Sequence, residues 1–185
     1  MYLLLIGLLA QADDDAPSFG GDASVGIAAG YLINDWVTEP LHGTVLARYD
    51  AFIVDRSTPG PRLGMSLWGA ATAWPQPGRT EDGEDAPFSY TQYGLMTVLR
   101  ADPELPIGYA GGIGFGRLDL AEWYGAPHYL PTVTLEGGLR QRLGDRPYAD
   151  YLLRAHWAQA RDSSGEGFEE WWQVQLAISI GLHVE

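Results

Sequence analysis

Residues 172–184 read Trp-Gln-Val-Gln-Leu-Ala-Ile-Ser-Ile-Gly-Leu-His-Val. Every second position is large and apolar: Trp172, Val174, Leu176, Ile178, Ile180, Leu182 and Val184. Between them lie Gln173, Gln175, Ala177, Ser179, Gly181 and His183. A period of two means an extended strand with two unlike faces. The run is long for a soluble strand, whose usual length is about 5–6 residues. It suffices for a membrane-crossing strand, which needs about 9–11.

The same pattern recurs upstream. Segments at about 24–34, 43–54, 63–74, 89–100, 107–120, 130–142, 148–161 and 170–184 alternate in this way, separated by turn-forming residues. No helical period and no low-complexity tract interrupts them. The connections alternate too. Asp55–Pro61, Ala101–Pro106 and Leu143–Pro147 are compact and carry proline, whereas 35–42, 75–88, 121–129 and 162–169 are mostly longer. Short turns at one end and longer loops at the other are the habit of transmembrane barrels.

Composition agrees. The chain has 185 residues, 46% hydrophobic and only 19% charged, with 24 Gly and 12 Pro. That is one domain with ample apolar surface. There are 24 acids against 11 basic residues, every one of them Arg, for a net charge of -13. Such a balance argues against nucleic-acid binding, which needs a basic face. The absence of cysteine excludes disulfides and thiolate sites.

Residues 1–12 form an apolar run closed by Ala10-Gln11-Ala12, which reads as a signal peptide. Residues 13–23 are acidic and rich in small residues, and read as a flexible lead-in to a barrel over 24–185.

Alternation alone does not say which face is outside. Three features put the apolar face against lipid. The opposite face is rich in small residues, including Gly26, Ala28, Gly30, Gly108, Ala110, Gly112 and Gly114, which suits the cramped lumen of an eight-stranded barrel. Aromatics gather near segment ends, where rings favour the membrane–water boundary. They are Tyr31, Trp36, Trp74, Phe88, Tyr90, Trp123, Tyr124, Tyr129, Trp171 and Trp172 at the loop end, and Tyr109, Tyr148 and Tyr151 at the turn end. The leader supplies a route of export. The fifth segment shows a change of parity near Gly116-Arg117 that suggests a bulge.

From about residue 24 onward the chain resembles the small eight-stranded outer-membrane barrels of Gram-negative bacteria, of the OmpA, OmpX and OmpW type. The resemblance implies an all-β, antiparallel up-and-down transmembrane β-barrel in the cell envelope, with outer-membrane lipid as its surroundings. It ends in His183-Val184-Glu185 where such proteins usually carry a terminal aromatic.

A hairpin of the sixth and seventh segments centred on Asp145 sets Glu136 opposite Arg154 and Arg140 opposite Asp150. Arg48, Asp50 and His156 extend this set into a luminal polar network. Charges in a water-poor lumen need partners, so salt bridges closing the lumen are expected, and Arg154→Leu is expected to destabilise the barrel. No catalytic residue is assigned: His42 and His128 read as exposed loop residues, with Asp35 and Ser89 in the same zone. Glu81, Asp82, Glu84 and Asp85 form an acidic loop able to attract cationic or divalent partners, but without the spacing of a calcium loop. The run 111–116 lacks the following helix of a phosphate loop. No metal or cofactor is expected, and the protein reads as a monomer.

The expectation is therefore a plugged outer-membrane barrel with a structural or surface-interaction role. Two alternatives stand beside it. One is a lipid-modifying enzyme or small-ligand binder using a pocket beside the small-residue segments. The other is a soluble lipocalin-like barrel holding an apolar ligand.

Overall fold

The computed structural model describes residues 18–33, 41–54, 60–74, 76–79, 85–120, 128–161 and 168–184. They form ten strands: β1 (Ser18–Ile33), β2 (Leu41–Val54), β3 (Arg62–Thr72), β4 (Gln76–Arg79), β5 (Asp85–Phe88), β6 (Tyr90–Arg100), β7 (Ile107–Leu120), β8 (His128–Arg142), β9 (Pro147–Arg161) and β10 (Phe168–Val184). Eight of them close a barrel in the order β1-β10-β9-β8-β7-β6-β3-β2. Each neighbour is the next barrel strand in sequence, and every pairing is antiparallel. The first and last strands meet from Gly21↔Val184 to Ile33↔Trp172, which removes the free edges an open sheet would carry.

The eight segments read from sequence are the eight barrel strands, with three differences. The first strand begins at Ser18, so its start overlaps the lead-in expected over 13–23. The connection expected as a plain loop over 75–88 contains the separate hairpin of β4 and β5. The bulge expected near Gly116-Arg117 is absent. The register runs unbroken through Gly94↔Gly116 and Tyr93↔Arg117 on one side and Arg117↔Pro131 on the other. Arg117 is an outward-facing residue near the loop end, and its charge, not a change in parity, breaks the apolar pattern. Residues 1–17, expected as a signal peptide and the start of the lead-in, lie outside the described residues.

The orientation is unambiguous. On β10, Val174, Leu176, Ile178 and Ile180 are 41–62% exposed on the outer wall. Across the sheet, Glu136 is 8% exposed and Arg154 is 2%. The same parity holds on every barrel strand, as Val25 and Ile27, Leu63 and Leu67, Ile113 and Phe115, and Leu135 and Leu139 all point outward. A soluble barrel buries its apolar face, so the lipocalin-like alternative fails on this point. No helix among the described residues is long and apolar enough to cross a membrane; an apolar belt of strands is the surface that fits hydrocarbon here.

Exposed rings edge the belt. Tyr31, Trp74, Tyr93 and Trp172 stand near the loop end, and Tyr49, Tyr109 and Tyr151 near the turn end. Trp172 pairs across strands with Trp157, their ring centres 6.2 Å apart. Three aromatics expected in this girdle lie inside instead. Tyr90, Trp171 and Tyr148 are buried in the lumen, because each occupies an inward position of its strand. Trp36, Trp123 and Tyr124, and the side chains of Phe88 and Tyr129, lie outside the described residues.

Candidate functional site: the filled lumen

The lumen has two layers. The one nearer the short turns is ionic. Arg48 (β2) donates to Glu136 (β8) at 2.9 Å and to Asp150 (β9) at 2.7 Å. Arg100 (β6) donates to Asp50 (β2) at 2.9 Å, to Glu136 at 3.1 Å, and to the Gly111 carbonyl at 2.8 Å. Arg140 (β8) grips Asp150 with two nitrogens, at 2.7 and 3.0 Å, and also bonds Asp22 of β1. Asp22 accepts in turn from His183 of β10. Four guanidiniums, of Arg48, Arg100, Arg140 and Arg154, thus meet four carboxylates, of Asp22, Asp50, Glu136 and Asp150. All eight are buried, so the lumen carries bulky charge without net charge. In a low-dielectric interior only such matching is tolerable. Below it Tyr148 closes the turn end, its ring under the Arg140 guanidinium at 3.8 Å and beside His183 at 5.0 Å.

The layer nearer the longer loops is polar but uncharged. His156 sits at its base. Its Nδ1 lies 2.8 Å from Thr134 Oγ1 and 3.0 Å from Gln92 Nε2, and its Nε2 lies 3.3 Å from Gln175 Oε1. With the ring proton on Nε2, Nε2 donates to the Gln175 amide oxygen, and the single lone pair of Nδ1 is shared between the Thr134 hydroxyl and the Gln92 amide. Gln175 donates onward to Thr44 Oγ1 at 3.0 Å and to the Tyr90 hydroxyl at 3.3 Å. Gln173 bonds the same hydroxyl and approaches His42 Nε2 at 2.6 Å. Hydrogen bonds therefore run from His42 to His156. Trp68, its ring tilted by 35° against that of His156 at 5.5 Å and lying under Arg154 at 4.6 Å, joins the two layers.

The residues expected in the luminal network separate accordingly. Arg48, Asp50, Glu136, Arg140, Asp150 and Arg154 lie together in the ionic layer. His156 lies apart from it, held by neutral groups. The cross-strand pairs Glu136↔Arg154 and Arg140↔Asp150 have the register the hairpin implies. Their contacts differ: the second is bidentate, the first a single 3.4 Å approach. Sequence reasoning missed Arg100 and Asp22. Both were legible by parity, since outward Leu95 and Leu99 put Arg100 inside, and outward Val25 and Ile27 put Asp22 inside. His42 is a correction. It is 6% exposed and luminal, because β2 begins at Leu41 and its second residue points inward. The side chains of His128, Asp35, Glu81, Asp82, Glu84 and Asp85 lie outside the described residues, although Asp85 belongs to β5.

Thr134, His156 and Gln175 have the outline of hydroxyl, base and orienting group. All three are at most 1% exposed, so the Thr134 oxygen meets no solvent from which a substrate could reach it. Among the described residues, no group of three or more His, Asp or Glu is arranged to hold a metal.

An apolar exterior, aromatic edges and eight closed antiparallel strands together define the eight-stranded bacterial outer-membrane barrel, and this chain has that fold. Solved structures agree. Neisserial surface protein A is 10% identical, with a TM-score of 0.53 over 89% of this chain and 96% of that one. OprG from Pseudomonas aeruginosa is 10% identical, with a TM-score of 0.52 over 91% and 97%. Ail of Yersinia pestis, solved with the heparin analogue sucrose octasulfate, is 12% identical, with a TM-score of 0.51 over 90% and 99%. At such identities the likeness is one of fold. No family model and no curated protein matches the chain.

Proposed function

We propose that this is a non-enzymatic outer-membrane protein whose lumen is shut and whose work is done at its loop-end surface. The observation that carries the reading is the charge-balanced ionic layer spanning the lumen, with Glu136 bonded by Arg48 and Arg100 from two other strands. A pore needs water where these side chains stand. With the interior occupied, the longer connections are what remains to meet a partner. Segments 34–40, 73–89, 121–127 and 162–167 hold nine acids and one Arg, against four acids and two Arg in 55–61, 101–106 and 143–146. A field of that sign attracts cationic polypeptides or divalent ions and repels polyanions. This chain therefore differs in expectation from Ail, which was solved with a sulfated sugar.

Reconstitution in planar bilayers tests the first half: no stable conductance step is expected, and a regular one overturns the closed lumen. Binding to intact cells tests the second. A polycationic peptide is expected to bind in a salt-sensitive way and sucrose octasulfate not at all; the opposite preference overturns the acidic-surface reading.

A further inference from the structure

The seam between β1 and β10 pairs strands that are not consecutive in the chain. Every other barrel pairing joins strands linked by a connection, and a hairpin takes its register partly from its turn. The seam must take its register from side chains. A slip of one residue would turn Val25, Ile27, Ile178 and Ile180 into the lumen, so alternation forbids it. A slip of two keeps every side chain on its own face, so alternation allows it. Such a slip would alter the whole barrel. Followed once around the outer wall, the ladder leaves β7 at Tyr109, crosses the seam at Ile178↔Ile27 and returns to β7 at Asp119. From 109 to 119 is a stagger of ten residues, and a slip of two at the seam would make it eight or twelve. Stagger and strand number together set strand tilt and barrel diameter.

Most of the inner seam does not tell these registers apart. Ser24, Gly26 and Ala28 on β1 and Ala177, Ser179 and Gly181 on β10 are all small. Gln173 and Gln175 are alike and two residues apart, so a slip of two can present one amide where the other stood. The turn end is specific. Asp22 stands directly opposite His183 and accepts from its Nδ1, and it also accepts from Arg140 of β8. Both donors are held by elements other than β1. Arg140 is fixed by its two bonds to Asp150. His183 is fixed by the Tyr148 ring at 5.0 Å and by its backbone N–H, which donates to the Arg146 carbonyl at 3.0 Å. The geometry points to Asp22 as the residue that sets the register of barrel closure: β8, β9 and β10 present two fixed donors, and β1 brings the one acceptor that fits them. A slip of two would carry Asp22 about 7 Å along the strand. It would then face Gly181 or Glu185, neither of which offers a side-chain donor. Asp22 is 2% exposed, so a carboxylate stranded there is costly. Asp22 is thus a positioning residue for the seam. This role holds whether or not the lumen conducts, so its failure leaves the closed-barrel reading intact.

The chain has no cysteine, so engineered pairs report on the seam without background. Ile27→Cys with Ile178→Cys joins direct partners, whereas Ile27→Cys with Leu176→Cys or with Ile180→Cys joins residues that become partners only after a slip of two. Direct partners have Cβ atoms about 4.5–5.5 Å apart, close to disulfide geometry, and diagonal ones stand about 7–8 Å apart. Oxidised in detergent after folding, the otherwise unaltered chain should cross-link through 27–178 and little through the other two pairs. In Asp22→Ala the slipped pairs should rise several-fold at the expense of 27–178. Gln92→Leu, which disturbs the neutral layer from β6, should keep the unaltered pattern. An unaltered pattern in Asp22→Ala, or the same shift in Gln92→Leu, overturns the proposal. Should Asp22→Ala fail to fold, His183→Ala, which keeps all four guanidiniums and all four carboxylates, is read in the same way and decides.

Discussion

The two halves of the lumen solve one problem with different chemistry. Both place buried polar side chains on the inner face of a narrow barrel. The turn-end half does so with eight charges in mutual contact, the loop-end half with amides, hydroxyls, rings and two imidazoles. The ionic half joins strands far apart in sequence: Arg48 reaches Asp150 across the barrel, and Arg140 reaches Asp22. Each charge there has been stripped of solvent, so the layer is safe only while complete. The neutral half has no such all-or-none character, because an unsatisfied amide costs far less than a lone buried charge.

The largest effect should therefore come from Glu136→Gln. It leaves Arg48, Arg100 and Arg154 around a neutral amide, and loss of one partner from a buried ionic set typically costs about 3–5 kcal/mol. Urea unfolding in detergent, followed by tryptophan emission, should show a midpoint far below that of the parent. An unshifted midpoint would mean that the layer is hydrated and its charges independent.

A second comparison lies within the ionic half. Arg100→Leu removes hydrogen bonds to Asp50, Glu136 and the Gly111 carbonyl, and should cost about 3 kcal/mol in the same assay. Arg154→Leu removes a guanidinium with no such bonds and should cost clearly less, contrary to the importance its cross-strand position suggests. Equal losses would show that position in the ladder, and not hydrogen bonding, sets the energy.

In the neutral half, His156→Leu strands Thr134, Gln92 and Gln175 together. The expected loss is about 1–3 kcal/mol, the penalty for buried polar groups left unmade. A loss as large as that of Glu136→Gln would erase the distinction between the halves.

How much of this was legible follows from what alternation can and cannot encode. Period two, as in Val174 to Val184, gives strands and their two faces, and the spacing about Asp145 gives the register of β8 on β9. It follows that Arg140 meets Asp150. It does not follow that Arg48 reaches both Glu136 and Asp150, because those contacts cross the lumen and depend on barrel closure and stagger, which no local pattern states. Strand ends were the other weak place. Tyr90, Tyr148 and Trp171 looked like boundary rings, since position along a strand was readable there while the parity, which sends all three inward, went unused. Asp22 is hidden in the same way, because the stretch 13–22 is acidic and rich in Gly, Pro and Ser and reads as a lead-in.

The smallest expected effect isolates the wall that separates lumen from lipid. Gly137 and Gly138 are consecutive on β8 and face opposite sides. A Cβ on Gly138 would run into the Tyr151 carbonyl and lie 3.0 Å from the Leu152 Cα, both backbone atoms that cannot turn aside. A Cβ on Gly137 would meet nothing within 4 Å. Gly138→Ala should therefore cost about 1–3 kcal/mol through crowding. Gly137→Ala should be neutral or stabilise by a few tenths of a kcal/mol, since alanine restricts the unfolded chain and adds a methyl to the outer belt. If Gly137→Ala proved as damaging as its neighbour, the outer wall at that height would have to be in close contact with something other than fluid hydrocarbon.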